Sequence, residues 1–301
     1  MKRIAIALAA LTMLGGALAS HATAQERVLH QERSLYRNIR VIQEGDERCM
    51  AFRARRQAGR QSCILMSAPD RMILEYSQMM LAGLYLNPRP QRVLIIGLGG
   101  GVLPTALQAM LPNTKIDVVE LDAAVDRSAR RYFNFKPGPN MRVTISDGRV
   151  FVKRQIRAKP AYDLVFLDAF EDDYIPEHML TREFLEEVKS TMAPNGVIVS
   201  NTFSSSGLYD YESVTYRTVF GPFFNMKSGN RMIVGRIGGL PSTADIRRNA
   251  AVWEPEFKRR GVSSDALIPM MSTGVDWDEK ARVLTDQFSP SNLLNSRRRP
   301  S

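Results

Sequence analysis

Cysteine and histidine are scarce in this 301-residue chain, which has two cysteines, Cys49 and Cys63, and three histidines, His21, His30 and His178. Two cysteines cannot build a cysteine-based zinc site, and so few histidines leave little for a histidine-based one, so no metal is expected. No tract of low complexity and no internal repeat interrupts the sequence. No apolar stretch reaches the ~20 residues of a membrane-spanning helix.

One apolar stretch does exist, running without a charge from Ile4 to Ala19 behind Lys2 and Arg3 and ahead of Ala22-Thr23-Ala24. A basic start, a short apolar segment and a small-x-small site describe a secretory signal peptide over 1–24. No cysteine stands near the cleavage point for lipidation and no twin-arginine signal is present, so the expectation is a mature chain from Gln25 in the periplasm or secreted. The formal charge of +10 falls to +8 once Lys2 and Arg3 are removed. That charge is scattered in short clusters such as Arg130-Arg131 and Arg247-Arg248, the pattern of solvated faces, so no nucleic-acid partner is expected.

About 275 mature residues suffice for one sizeable core with an appendage. Segments 35–43, 48–54 and 61–66 are rich in β-formers and flank a Gln57-Ala58-Gly59 turn, which predicts an antiparallel β-element within 25–68. Cys49 and Cys63 lie symmetrically about Arg56 in that hairpin, where opposed positions bring Cα atoms within disulfide range; a bridge is expected. Ile73, Tyr76, Met80 and Leu84 recur at helical spacing after Pro69-Asp70. From there strands at 93–96, 116–120, 142–145, 164–168, 197–201 and 232–236 alternate with helices near 102–111, 123–133, 148–157, 179–192 and 208–219. Apolar strands separated by helices predict an α/β, Rossmann-like, mostly parallel sheet covered on both faces over 69–240. Residues 241–301 read as a C-terminal helical extension, with helices considered at 243–260 and 278–284, and a basic tail.

Such sheets bind ligands beyond the carboxyl ends of their strands. The first parallel strand runs into Gly97, Gly99 and Gly101 before a helix, and the next closes on Glu120 about 20 residues later, where a carboxylate can hold a ribose diol. The Gly-x-Gly-x-Gly spacing favours an adenosyl-sulfonium compound over a dinucleotide, whose pyrophosphate needs cradling. Asp147-Gly148 ends the third strand, and Asp147 can accept from an adenine amino group, cap the next helix, or do both. Asp168 ends the fourth, followed by Glu171, Asp172 and Asp173, a clustering that suggests a cationic ligand or raised pKa values. His178 reads as a cap-region residue.

The order of these pieces over residues 34–240 resembles the spermidine synthases, the polyamine aminopropyltransferases. The match runs through the β-element, the loop from Gly97 to Gly101, Glu120, Asp147-Gly148, and Asp168 with Glu171 in the place of an Asp-x-x-Asp segment. Gln61 resembles the glutamine that touches the thioadenosine, and Tyr76 the tyrosine of a Tyr-x-Glu-Met segment whose glutamate is here Gln78. Gly100 stands where the family loop carries an acid, and SGNRMIVG where it has an amine pocket with Pro and Tyr. The resemblance implies aminopropyl transfer from decarboxylated S-adenosylmethionine to a small-molecule amine. Asp168 and Tyr76 would be catalytic, Gln61, Gly97, Gly99, Gly101, Glu120, Asp147 and Gly148 would hold the cofactor, Gln78 and Glu171 the amine, and a homodimer is the assembly considered. Two other readings stay open: a methyltransferase using S-adenosylmethionine itself, which Gly100 suits, and a non-catalytic periplasmic protein that binds an amine or nucleoside.

Overall fold

A computed structural model describes residues 25–52, 60–169 and 176–296 of the chain. The expected signal peptide, the 57–59 turn and the Glu171 cluster lie outside the described residues. Four strands, β1 (Arg27–Arg33), β2 (Asn38–Glu44), β3 (Glu47–Ala51) and β4 (Arg60–Leu65), form an antiparallel sheet in sequential order. β1 lies within the expected 25–68 element but adds a strand ahead of the segments expected from 35 onward; its residues are mostly exposed, so no buried face marks it in the sequence. Cys49 and Cys63 are direct partners in the β3/β4 ladder, with Cα atoms 4.1 Å apart, and are bridged as expected. Closing a loop of that size stabilises by about 3 kcal/mol in a chain-entropy model.

The second sheet contains β5 (Arg92–Ile96), β6 (Lys115–Glu120), β7 (Met141–Ile145), β8 (Tyr162–Leu167), β9 (Met192–Phe203), β10 (Phe223–Lys227) and β11 (Asn230–Arg236). Their order is β10-β11-β9-β8-β5-β6-β7, with β5 to β9 mutually parallel and the β10/β11 hairpin antiparallel at one edge. Alternate residues of each strand serve opposite faces. Val93, Ile95, Val118, Leu164 and Phe166 enter one core with α3 (Val102–Met110), α4 (Ala123–Tyr132) and α8 (Thr243–Arg259). Leu94, Ile96, Val119, Val165 and Leu167 enter the other with α5 (Gly148–Ala158), α6 (Arg182–Ser190) and α7 (Tyr209–Phe220). This double burial is why the strands read as continuous apolar runs.

Three local expectations change. The helix anticipated from Pro69-Asp70 begins only at Glu75, as α1 (Glu75–Met80), and a second short helix, α2 (Gly83–Leu86), follows. Residues before it are taken by other partners: Arg71 N–H donates to Ala68 O, and Met72 N–H donates across to Arg260 O. The helix expected from 179 starts at Arg182, because Thr181 caps it by accepting from Phe184 N–H, and His178 sits on a separate 3-10 turn over Glu177–Met179. The 278–284 segment is not helical; a helix instead forms at α9 (Ser264–Met270), capped by Ser263, and another at α10 (Ser291–Asn295).

Candidate active site

Strand register places the site. Ile96 pairs with Val119 on one side and Leu167 on the other, and Leu167 pairs with Ser200. One step further along each strand, Gly97, Glu120, Asp168 and Asn201 therefore form a single row at the carboxyl edge of the sheet. β5 is flanked by β6 and β8, so successive crossovers leave it in opposite directions, and a crevice opens where the connections part. A cavity of about 450 Å³ fills it.

Its floor is the glycine loop. Gly97 has a φ of +107°, and a Cβ there would lie 2.1 Å from the Asp168 carbonyl oxygen, so only glycine lets β5 and β8 diverge at this point. Gly99 lines the cavity with it, whereas Gly101 does not: it ends the loop in a left-handed conformation at the start of α3, against Phe135. At Gly100 a Cβ would meet Ser62 Oγ at 2.8 Å and the Phe133 ring at 3.0 Å, so a side chain here requires the Ser62 hydroxyl to rotate and the Phe133 ring to give slightly.

Glu120 is 6% exposed and lines the cavity. Its two oxygens accept from Leu98 N–H at 3.1 Å and Asp122 N–H at 2.8 Å, which turns the carboxylate toward the loop and leaves further lone pairs for a ligand. Burial raises its pKa, opposed by those backbone donors and by Arg37. Asp147 caps α5 by accepting from Val150 N–H at 2.9 Å, and its other oxygen lies 2.9 Å from His178 Nε2. The capping role considered for Asp147 is thus present, and His178 joins the cavity wall through it. Gly148 also lines the wall, packed so closely that a Cβ there would lie 2.7 Å from the Ile96 side chain.

Asp168 has its pKa pushed up to about 7 by burial and by the Glu120 charge, against the hydrogen bond it accepts from Asn201 Nδ2 at 2.9 Å. Tyr76 donates to the Gln61 carbonyl at 2.7 Å, and burial together with Asp168 drives its phenol well above the ordinary value of 10. Tyr76 is therefore a hydrogen-bonding and positioning group, and Asp168 the group able to exchange a proton near neutrality. Gln61 lines the cavity.

Gln78 does not reach the cavity. Its amide donates to Met72 O at 2.6 Å, because α1 begins late and turns this position toward its own N-terminal turn. Glu171 lies outside the described residues. Sequence reasoning missed Arg37 and Tyr36 of the β1/β2 hairpin, Arg60, and the Asn201, Thr202, Phe203 and Asn230 wall. The polar Ser200-Asn201-Thr202 end of an otherwise apolar strand was a usable signal; the others arrive only by tertiary packing. Among the described residues Glu47, Cys49 and Cys63 group closely, but the bridged sulfurs are not thiolates and leave one carboxylate.

A parallel sheet with a glycine loop at its first strand, acids at the next strand ends and a cavity above them defines a methyltransferase-type fold. A family model described as the spermine/spermidine synthase domain matches residues 72–221. A polyamine aminopropyltransferase of Vibrio vulnificus is 44% identical over 275 residues, 90% of this chain and 92% of that protein. Human methyltransferase-like protein 13, solved in complex with SAH, aligns with a TM-score of 0.56 at 25% identity, covering 69% of this chain and 96% of that one. Spermidine synthase from Thermotoga maritima shares the fold, with a TM-score of 0.53 at 18% identity over 78% of this chain and 88% of its own. The chain belongs to the spermine/spermidine synthase family.

Proposed function

We propose that the protein transfers an aminopropyl group from decarboxylated S-adenosylmethionine to a small amine. The observation that carries this reading is the half-buried Asp168 carboxylate, held by Asn201 beside Tyr76 in a cavity whose other acids, Glu120 and Asp147, stand at the neighbouring strand ends. The co-substrate supplies an electrophilic carbon next to a sulfonium. Glu120 suits a ribose diol and Asp147 an adenine amino group, each with acceptor capacity left after its backbone donors. Asp168 accepts a proton from the attacking amine as the N–C bond forms and the C–S bond breaks, releasing methylthioadenosine. Holding the amine near that carbon supplies the rest of the acceleration by orientation. Gln78 is turned away from the cavity, a feature that supports an acceptor different from a simple diamine.

The test is release of methylthioadenosine from decarboxylated S-adenosylmethionine in the presence of a panel of amines. Glu120→Ala and Asp147→Ala are each expected to weaken methylthioadenosine binding at least tenfold by calorimetry, since hydrogen bonds to a charged acceptor contribute roughly 1.5–3 kcal/mol. Unchanged affinity in both would place the nucleoside elsewhere. Methyl transfer from intact S-adenosylmethionine to the same amines would favour the methyltransferase reading instead.

We also place the mature protein outside the cytoplasm, a reading supported by the leader-like 1–24 segment and the Cys49–Cys63 bridge. Protein recovered from the periplasm or medium should begin near Gln25 and, denatured without reductant, show no reactive thiol. A chain that retains Met1, or two titratable thiols, would overturn this placement.

A further inference from the structure

Behind Asp168 stands a second layer of amides. Asn201, 8% exposed at the end of β9, donates its Nδ2 to Asp168 Oδ1 at 2.9 Å and accepts, through its Oδ1, from Asn230 Nδ2 at 3.0 Å. An ionised carboxylate only accepts, so it requires the nitrogen side of the Asn201 amide. The opposite oxygen then requires a donor, and Asn230 supplies it. The two asparagines are 29 residues apart and meet because β11 pairs antiparallel with β9, setting Asn230 opposite Phe203.

The far end of this chain is anchored. Arg231, next to Asn230, is fully buried, with Nε donating to Asn225 Oδ1 at 2.8 Å, one terminal nitrogen to Ser213 Oγ at 2.7 Å and the other to Tyr209 O. Ser204 Oγ, just beyond β9, donates at 2.9 Å to Gly229 O in the turn between β10 and β11. β11 is thus clamped on both sides of Asn230, and the amide it presents has little freedom.

We infer that Asn201 and Asn230 form a two-amide relay that positions the Asp168 carboxylate, holding one oxygen so that the other faces the attacking amine. The inference rests on the transfer reading above for its purpose, but not for its geometry. Asn201 is the donor that stabilises the ionised form of Asp168 against burial. Asn230 acts only through Asn201, by preventing the amide from turning its oxygen toward the carboxylate, where two acceptors would repel. Among the described residues, the titratable and charged groups around Asp168 are Glu120 on β6 and Tyr76 on α1, with Asp147, His178, Arg37 and Arg60 on other parts of the cavity wall. Arg231 is turned away toward α7.

The experiment is a pH titration of Asp168 by carbon-13 NMR of carboxyl-labelled aspartate, the resonance assigned by its loss in Asp168→Asn, alongside the pH profile of kcat/KM. Asn201→Leu is expected to move the Asp168 titration and the acidic limb of the profile upward by about one pH unit, the scale of one hydrogen bond to a charged group. Asn230→Leu should move both in the same direction by less. The double variant should shift no further than Asn201→Leu alone, because Asn230 has no route to Asp168 except through Asn201. Should a leucine variant fail to fold, the alanine pair carries the same cycle. A titration unmoved in Asn230→Leu, or shifts that add in the double variant, would overturn the relay. If wild type transfers no aminopropyl group to any amine, the transfer reading falls, while the NMR titration still decides the relay.

Discussion

Asp168→Asn is expected to lower turnover by about 10²–10⁴ and to leave methylthioadenosine affinity within about twofold. The substitution keeps the shape and one acceptor oxygen at the end of β8 but removes the group proposed to take the amine proton. The nucleoside contacts proposed above, Glu120 at the end of β6 and Asp147 beyond β7, line other parts of the cavity, so binding and chemistry should separate. The same variant carries a stability signature. Asp168 has its pKa raised to about 7 by burial, so between roughly pH 4 and 7 the native state holds a proton that the unfolded chain releases. Its contribution to native stability is therefore fully present below the unfolded value, declines as pH rises through 7, and is lost above it. Asparagine has no such dependence. Relative to wild type, Asp168→Asn should match stability near pH 4 and gain up to about 4 kcal/mol at pH 8, from about three pH units at 1.36 kcal/mol each. Denaturant melts at the two pH values and single-turnover kinetics measure both effects. Turnover within tenfold of wild type would remove Asp168 from proton transfer.

Gly97→Ala is expected to destabilise the fold by about 2–6 kcal/mol, combining backbone strain with overpacking. The φ of +107° is strained for any L side chain, and the new Cβ would lie 2.1 Å from one backbone atom of Asp168 and 2.6 Å from the next. No rotamer relieves a clash with backbone, so β5 or β8 must shift, and the row that aligns Glu120, Asp168 and Asn201 shifts with it. Loss of nucleoside binding should accompany the lowered melting temperature. Gly221→Ala serves as the comparison, because Gly221 also has a positive φ, +76°, but nothing lies within 4 Å of its Cβ. That variant should lose about 1–3 kcal/mol, the backbone cost alone of a side chain at φ +76° and ψ −148°. Equal losses in the two variants would show that the Asp168 clash is relieved elsewhere.

The parallel sheet and its line of acids were legible because both depend on local pattern. A strand buried on two faces must be apolar throughout, a sharp strand-to-helix turn must use glycine, and each strand must stop where a polar residue meets the edge. Those three rules locate Gly97, Glu120, Asp147 and Asp168 without any knowledge of which strands are neighbours. The opposed cysteines were equally readable, since a hairpin brings positions symmetric about its turn together.

What pairing and packing decide was not readable. β1 and α9 lack a strong periodic face, and the start of α1 is set by Met72 binding the distant Arg260 carbonyl, which in turn directs Gln78 away from the cavity. Ser62 and Phe133, distant in the sequence, come to crowd Gly100 only through packing. Asn201 lies at a strand end, but its orientation comes from Asn230 on a strand that joins the sheet antiparallel. The sequence by itself determined which chemical groups reach the carboxyl edge, because burial and turn formation act on each segment separately. Only the tertiary structure decided which of those groups touch, because register between strands far apart in the chain is a property of the assembled sheet and of no single segment.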